Sequence, residues 1–420
     1  MFCNVGAVTG SQPIHEIRRC VAGRTCEIVY NERVRTRIRE LRAILPPVYW
    51  TVWLGTLVNR AGSFVVPVLT FYLTDALGLS LASAGAVVSM FGAGSVCASL
   101  VGGVLADRLG RKVTMVGSLF GGAITMVVLS SVSSPLAIGA TTFAAGFVGD
   151  LYRPAVSAFV ADVVPAEHRQ TAYGLLYWAV NIGFSIAPIA AGAVATFSYR
   201  ALFLGDAATS AIFAVIILVR VPESHPDPTR KHLASGGIMP VLRDRSFMWF
   251  WGCALLQGLV IFQLTTTLSG WMVGQGFGPS AYGAVLSING IVIVLFQPFI
   301  TEWTKRFDRR NVLAASAVLT GVGFALHGAT AFLWMHAIAV GVWTIGEMFN
   351  ASVSSTIVSD RAPPLLRGRY QGVYSMSWGV AGMLGPIFGP RVLAVSPIAL
   401  WGGCAVVGVI SALGYRAMKR

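Results

Sequence analysis

Charged residues are scarce in this chain. They make up 11% of its 420 residues, while hydrophobic residues make up 55%. A soluble domain usually carries about 25% charged residues, so the composition argues against a water-soluble globular fold. A mean hydropathy of +0.70 agrees. The shortage of charge therefore predicts a membrane protein.

Cysteine frameworks and nucleotide-binding motifs are also missing. The six cysteines match no zinc or disulfide spacing. No G-x-x-x-x-G-K-[ST] sequence supplies a P-loop for ATP, and no clustered nucleophile, metal set or cofactor motif is present. We therefore expect neither an enzyme nor a bound metal or cofactor.

Long apolar stretches recur instead along the whole chain. Each is near the ~20 residues that an α-helix needs to cross a bilayer. They predict an all-α membrane protein with twelve transmembrane helices. The predicted spans are 48–74, 82–106, 112–132, 136–161, 170–196, 200–220, 247–272, 281–303, 311–331, 333–358, 369–394 and 397–416.

The net charge of +14 would suit a nucleic-acid partner, but its distribution indicates a membrane instead. Of the 31 Lys and Arg residues, only Arg60 and Arg153 lie well inside a predicted span. Arg200 and Arg391 lie near the loops on the outer side, and the other 31 − 4 = 27 lie in the tails and in the loops on the opposite side. Because cytoplasmic loops carry the excess of basic residues, we expect a multi-pass protein of the cell membrane with both termini in the cytoplasm.

Composition divides the chain into four segments. Residues 1–45 form a basic tail, in which NERVRTRIRELRAIL has one apolar helical face. This stretch fits either an amphipathic helix on the anionic inner leaflet or a solvated, disordered tail. A six-helix bundle over 46–220, a polar linker over 221–246 and a second six-helix bundle with a short basic tail over 247–420 follow.

The two bundles repeat each other in sequence. Trp53 and Trp251 are 251 − 53 = 198 residues apart, and many Gly, Pro and Arg residues match at the same offset. Matched pairs include Gly85 with Gly283, Arg111 with Arg309, Asp162 with Asp360, Arg169 with Arg367, and Pro188 with Pro386. Two parallel repeats are the plan of one large class of transporters, whose substrate site lies at the repeat interface.

The loop between spans 2 and 3 reads GGVLADRLGRKVTM over 102–115. It resembles the G-x-x-x-D-R-x-G-R-[KR] signature of the major facilitator superfamily. The matching residues are Gly103, Asp107, Arg108, Gly110, Arg111 and Lys112. We expect the glycine to allow close helix approach, and Asp107 to pair with a basic residue or to cap a helix N-terminus. The resemblance implies the major facilitator fold, alternating access and a gating role for this loop.

Spans 5 and 11 carry a second resemblance, to the antiporter motif g-x8-G-x3-G-P-x2-G-G of drug:proton exporters. The matching residues are Gly174, Gly183, Pro188 and Gly192 in span 5, and Gly385 and Pro386 in span 11. The alternative is generic packing, because small residues allow close helix contact in any membrane bundle. Thr142 stands where the exporters usually have an arginine in span 4, so the proton-relay role of that arginine is not carried over.

Polar residues at membrane depth fall on spans 1, 4, 7 and 10, which the resemblance places around a central cavity. The expected substrate-cavity residues are Asn59, Arg60, Arg153, Gln257, Gln263 and Asn350. A charge at a helix centre costs roughly 2.5–3.5 kcal/mol on insertion scales, so these side chains should face water or the bundle interior. Asp206, His327 and His336 are weaker candidates, better suited to a salt bridge or to packing.

Two carboxylates are candidates for proton coupling. Asp150 and Arg153 can meet on one helix face, and Pro154 clashes with the carbonyl of Asp150, which predicts a kink. A structural ion pair is the alternative to a hydrated transport site here. Glu347 has no basic neighbour within a turn of its own helix. Since a proton is then the available means of neutralising it, Glu347 is the first choice for the proton carrier and Asp150 the second.

The sequence thus predicts a proton-coupled secondary transporter that works as a monomer in the lipid bilayer by alternating access. The antiporter-like spans favour export from the cytoplasm of a hydrophobic or cationic small molecule. Two alternatives stay open: uptake or efflux of a specific metabolite, and a membrane receptor that transports nothing.

Overall fold

The computed structural model describes residues 44–62, 69, 73, 81–195, 198–224, 237–264, 267–277, 279–329 and 331–418. The predicted amphipathic segment before residue 44 and linker residues 225–236 lie outside the described residues. Within the described ranges the chain is helical and contains no strand.

Fifteen α-helices are described, and they follow the predicted spans closely. They are α1 Pro47–Ala61, α2 Leu81–Arg108, α3 Arg111–Leu129, α4 Pro135–Asp150, α5 Tyr152–Val163, α6 Arg169–Ala195, α7 Tyr199–Arg220, α8 Met239–Leu242, α9 Arg245–Ile261, α10 Thr267–Gly274, α11 Pro279–Thr304, α12 Arg309–Gly328, α13 Leu333–Arg361, α14 Arg367–Val395 and α15 Pro397–Arg416. Three short 3-10 helices, Ala166–His168, Phe262–Leu264 and Pro364–Leu366, lie between them.

Over the described residues, each predicted span coincides with one helix or with two helices separated by a short break. The predicted fourth span is α4 followed by α5, and the seventh is α9 followed by Phe262–Leu264 and α10. By length and composition, seven described helices can cross a membrane, or eight when the bent pair Pro364–Gly385 and Ile387–Val395 counts as one. The prediction of an all-α membrane fold is confirmed.

Several helices begin where the sequence supplies an N-cap. The Asp244 carboxylate accepts hydrogen bonds from the amides of Ser246 and Phe247 at 3.1 and 3.0 Å. The Ser396 hydroxyl accepts one from the amide of Ala399 at 3.2 Å. Such caps satisfy amides that have no intrahelical acceptor, so α9 and α15 start at fixed points.

The sequence repeat reappears as a repeat of contacts. The Trp53 indole N–H donates to the carbonyl of Leu175 at 2.7 Å, and the Trp251 indole N–H donates to that of Val373 at 2.8 Å. Both donors and acceptors differ by 198. The same offset relates Ser118 Oγ to Val148 O and Ser316 Oγ to Gly346 O, each at 2.6 Å. The two halves therefore share their internal packing as well as their sequence pattern.

Helices of the first half contact helices of the second half along the described part of the chain. Helices α2 and α5 pack against α14, α6 packs against α11 and α13, and α5 also contacts α13. These contacts bring the loop motif, the two antiporter-like spans and Glu347 to the boundary between the halves.

Candidate functional site

The helix break at Asp150 creates the first group of candidate residues. Helix α4 ends at Asp150 and α5 begins at Tyr152. Pro154 has no amide hydrogen to donate to the carbonyl of Asp150, four residues before it, and its ring crowds that carbonyl. The interruption of the helix next to the charged pair is confirmed.

The expected ion pair is formed across this break. Arg153 Nε donates to Asp150 Oδ1 at 2.8 Å. The two partners differ in exposure, because 51% of the Arg153 side chain is accessible and only 10% of the Asp150 side chain. The pair therefore presents its cation, and not its carboxylate, to the adjacent space.

A cavity of about 160 Å³ adjoins the pair, within the first half. Four residues predicted to lie on a transport path line it together: Asn59, Arg60, Asp150 and Arg153. Apolar side chains, among them Phe91, Leu119, Met126 and Phe184, form the rest of its wall. Spans 1 and 4 thus meet at this cavity, but its described lining comes from the first half alone. The central cavity expected from the resemblance would also be lined by spans 7 and 10.

The cavity also contains polar residues that the sequence reading undervalued. Asp206 and Ser210 of α7 line it, and Ser210 Oγ accepts a hydrogen bond from Asn59 Nδ2 at 2.9 Å. Arg60 interacts electrostatically with Asp206 as well as with the Asp150–Arg153 pair. In the sequence, the acidic residue Asp206 within a predicted span was the one sign that α7 contributes to this site. The helix packing shows that it does.

Glu347 lies apart from this cavity, at the boundary between the halves. Its Oε1 accepts a hydrogen bond from Tyr177 Oη of α6 at 2.7 Å, and its Oε2 accepts one from Asn289 Nδ2 of α11 at 2.9 Å. Asn289 also donates to Thr344 at 3.1 Å. All of these donors are neutral, and one of them comes from the opposite half. Sequence reasoning missed Tyr177 and Asn289, because their approach to Glu347 depends on how spans 5 and 8 pack.

Gln257 and Asn350 meet inside the second half. Asn350 Nδ2 donates to Gln257 Oε1 at 2.8 Å, and Gln257 Nε2 donates to Ser316 Oγ at 2.6 Å. The hydroxyl of Ser354 donates to Asn350 Oδ1 at 3.0 Å. Only 1% of Gln257 and 2% of Asn350 is accessible. In this structure the pair belongs to a buried packing network between helices.

Gln263 lies in the 3-10 segment that interrupts span 7. Its Nε2 donates to the carbonyl of Leu259 at 2.9 Å, and its Oε1 accepts from Thr267 Oγ1 at 2.8 Å. A Cβ atom at Gly389 of α14 would overlap the Gln263 side chain. Gln263 is therefore buried against the antiporter-like span, away from both the cavity and Glu347.

The loop motif binds the first half to the second at what we call the charged end of the bundle, which carries Asp107, Asp162 and Asp360. Asp107 Oδ1 and Oδ2 accept hydrogen bonds from the amides of Gly368 and Arg369, both at 2.9 Å. These amides belong to the first turn of α14. Asp107 also pairs with Arg111 at 3.1 Å, so both contacts expected of this carboxylate are present.

Glycines shape this contact. A Cβ atom at Gly103 would overlap the carbonyl of Gly368, so the expected close approach of α2 and α14 requires the glycine. Gly110 has a φ of 114°, a conformation that L side chains rarely adopt. Arg108 is exposed at the helix end. Beyond it, the amides of Arg111 and Lys112 donate to the Glu223 carboxylate at 2.8 and 3.1 Å.

Two aspartates at the charged end each bind an arginine from both halves. Asp162 pairs with Arg111 at 2.9 Å and with Arg367 at 2.6 Å, a set that we call the Asp162 clamp. Asp360 pairs with Arg309 at 2.6 Å and with Arg169 at 2.5 Å, the Asp360 clamp. Every member of one clamp lies 198 residues from its counterpart in the other.

The antiporter-like residues pack against neighbouring helices. Gly174 faces Thr301 of α11, Gly183 faces the backbone of α1 at Arg60, and Gly385 faces Phe262. The surroundings of Pro188, Gly192 and Pro386 lie outside the described part.

His327 and His336, weaker candidates, form a buried pair with their Nδ1 atoms 2.8 Å apart. No group of three metal-ligating side chains occurs among the described residues.

Comparison with known proteins agrees with this architecture. The sequence profile described as Major Facilitator Superfamily matches residues 52–282 and 271–419. The chain is 27% identical over 366 residues to a Na(+), Li(+), K(+)/H(+) antiporter of Planococcus maritimus, with 79% of this chain and 85% of the relative covered. It is 25% identical over 382 residues to the quinolone resistance protein NorA of Staphylococcus aureus, with 83% and 91% covered.

A solved structure gives the same fold. The human organic anion transporter MFSD10 superposes with a TM-score of 0.67 at 17% sequence identity, over 88% of this chain and 98% of the other. At this identity the likeness concerns the fold alone. From the profile match and the repeated six-helix halves, the chain belongs to the Major Facilitator Superfamily: it is a membrane transporter and not an enzyme, and it resembles the drug:proton antiporter branch.

Proposed function

We propose that this protein is a proton-coupled exporter of hydrophobic or cationic small molecules, working as a monomer by alternating access. The antiporter-like spans and the relatives named as an antiporter and a quinolone resistance protein support export and proton exchange. The basic residues of the charged end favour a cytoplasmic position for that end and for both termini. The bacterial relatives favour the cell membrane.

The environment of Glu347 is the observation that carries this proposal. Its carboxylate is held by neutral donors from both halves, Tyr177 on one side and Asn289 on the other. A carboxylate at membrane depth is costly when charged and unpaired, so a proton can neutralise it in one state of the cycle. Because Tyr177 belongs to the opposite half, relative movement of the halves would change the hydrogen bonds of Glu347 and thereby couple proton binding to transport.

The charged end would act as the gate. Opening it requires separating Asp107 from the first turn of α14 and breaking the contacts between halves in both clamps. These contacts are closed in the structure, so the cytoplasmic side would be shut and the substrate path would open to the outside. Alternating access in transporters with paired repeats is largely rocking of one bundle against the other.

A second candidate, a transporter for one specific metabolite, is favoured by the small cavity of the first half. Its charged and polar wall residues are arranged in defined pairs, Arg153 with Asp150 and Asn59 with Ser210. A site with fixed polar partners selects among ligands more sharply than an apolar one. A panel of substrates separates the two candidates.

The decisive experiment is flux in proteoliposomes with an imposed pH gradient, using lipophilic cations, neutral hydrophobic compounds and metabolites. Glu347→Gln should abolish uphill transport driven by the gradient while leaving downhill exchange. Glu167→Gln is the matched control, since Glu167 is an exposed carboxylate in the short helix Ala166–His168. Uphill transport by Glu347→Gln at the rate of the unaltered protein would show that Glu347 is not the proton carrier.

A further inference from the structure

Arg153 has unused hydrogen-bonding capacity inside the first-half cavity. A guanidinium carries five N–H donors in a fixed planar fork. Of these, only the Nε donor is bound, to Asp150 Oδ1. Among the described residues, no acceptor is recorded for the two terminal nitrogens. Since 51% of the side chain is accessible and the residue lines the cavity, the open edge of the fork is available to a ligand.

The accessible charge of this cavity is positive, although its formal charges balance. The Asp150 carboxylate is 10% accessible and bound to Arg153, and Asp206 is 8% accessible and already engaged. Arg60 adds a second guanidinium, which lies 5.8 Å from the ring centre of Phe184. An incoming group therefore meets cations first, while the acids are turned to protein partners.

The chemistry of an arginine fork selects the kind of group that can fill this place. The terminal nitrogens match the two oxygens of a carboxylate, or of a phosphate, in a bidentate pair. Apolar side chains, among them Phe91, Leu119 and Met126, also line the cavity. Its volume of about 160 Å³ holds an acid group with a compact apolar body.

The matching positions of the second half show that the fold itself does not demand these charges. Arg60 and Arg153 correspond to Gly258 and Ala351 at the 198-residue offset. Those positions lie in helices that keep the same internal contacts, such as the tryptophan bonds of both halves. The two arginines are therefore a feature that one half adds to the shared framework.

We propose that this cavity is an anion subsite, in which the terminal nitrogens of Arg153 bind the carboxylate of a compact amphiphilic acid. The inference rests on the proposed transport function. Of the two substrate kinds proposed there, it selects hydrophobic compounds that carry an acidic group and excludes cationic ones. Arg60 stabilises the bound anion through its charge, and the apolar wall holds the hydrocarbon part.

The test compares three probes of similar shape: 1-naphthoate, the neutral 1-naphthamide and the cationic 1-naphthylmethylammonium. Binding to the purified full-length protein in phosphatidylcholine nanodiscs is measured by calorimetry at neutral pH. We expect naphthoate to bind roughly tenfold or more tightly than naphthamide, in line with a charge-assisted hydrogen bond, and the ammonium to bind most weakly. Equal binding of the acid and the amide, or tightest binding of the ammonium, overturns the proposal.

Variants then assign the effect to Arg153. Arg153→Gln should remove the preference for naphthoate over naphthamide, and Arg153→Lys should keep part of it, because it retains the charge without the fork. Arg391→Gln, at an exposed arginine near the end of α14, should bind as the unaltered protein does. A preference for naphthoate that survives Arg153→Gln contradicts the assignment.

Loss of Arg153 leaves Asp150 unpaired, so a second variant guards against misfolding. Asp150→Asn combined with Arg153→Gln replaces the ion pair by two neutral amides, and it should fold while showing no preference for naphthoate. These measurements use no proton gradient. Preferential naphthoate binding at Arg153, found together with flux that ignores the pH gradient, would support the subsite and refute the proposed coupling.

Discussion

The two halves of this transporter share a framework but differ in their charges. At the charged end, the Asp162 clamp and the Asp360 clamp have the same members at the 198-residue offset. At membrane depth the two halves carry different residues. At the 198-residue offset, Asp150 corresponds to Met348 and Arg153 corresponds to Ala351. Conversely, Glu347 corresponds to Gly149.

This difference separates what holds the halves together from what acts on a solute. Contacts that both halves need are duplicated, such as the clamps and the tryptophan bonds. A membrane-depth charge is expensive, so a second copy would add cost without adding a site. The first half carries the arginine-lined cavity, and the second half carries the carboxylate that we assign to the proton.

The gate itself is only partly symmetric. Asp107 caps the first turn of α14, but its counterpart is Lys305, which pairs with Glu302 of its own helix at 2.7 Å. At the equivalent contact of the second half, Gln170 Nε2 donates to Thr304 Oγ1 at 2.9 Å. A neutral hydrogen bond thus replaces a charged cap, and the contact between α2 and α14 should be the stronger one.

The largest expected effect comes from comparing the clamps. Asp162→Asn should lower the free energy of unfolding by roughly 3–5 kcal/mol, because it removes a buried carboxylate that pairs with two arginines. Among the described residues, Arg367 loses its ion-pair partner and Arg111 keeps only Asp107; Arg111 is 0% accessible and Asp162 4%. Asp360→Asn should cost about 0–1 kcal/mol, since Asp360 is 30% and Arg309 38% accessible. Detergent-titration unfolding in mixed micelles measures both. Equal losses would mean that the two clamps contribute alike in spite of their burial.

A smaller effect is expected from the helix contact beside the clamps. Gly103→Ala should cost roughly 1–3 kcal/mol, as overpacking does, because the added methyl group overlaps the carbonyl of Gly368. Its counterpart Thr301 already carries a side chain, so Thr301→Ser should cost well under that amount. The same detergent-titration unfolding assay measures both variants, and the transport rate is a second measurement. A Gly103→Ala protein as stable as the unaltered one would show that α2 and α14 can move apart freely.

The smallest effect should be equal in the two halves. Trp53→Phe and Trp251→Phe each remove one hydrogen bond to a backbone carbonyl, which is worth about 0.5–1.5 kcal/mol. The matching bonds, 2.7 Å to Leu175 and 2.8 Å to Val373, predict losses that agree within the error of the assay. A loss confined to one half would show that the repeat does not extend to this contact.

Several parts of the site were predictable because they depend on local chemistry. The break beside Pro154 follows from its missing amide hydrogen, and the Asp150–Arg153 pair follows from a spacing of three on a helix. The cap made by Asp107 was foreseen as one of two options. Other parts were not, since Gln257 and Asn350 read as cavity residues in the sequence and are packed against each other in the structure.

The sequence by itself determined the class of protein, its all-α membrane fold and the twofold repeat. These follow from the length of apolar stretches that a bilayer requires and from matches at a fixed offset, which need no knowledge of distances. The tertiary structure alone decided which charges meet. Tyr177 reaches Glu347 across 170 residues of chain, and Asn59 of α1 reaches Ser210 of α7 across 151 residues. Partners so far apart in sequence are chosen by helix packing, and no local pattern records that choice.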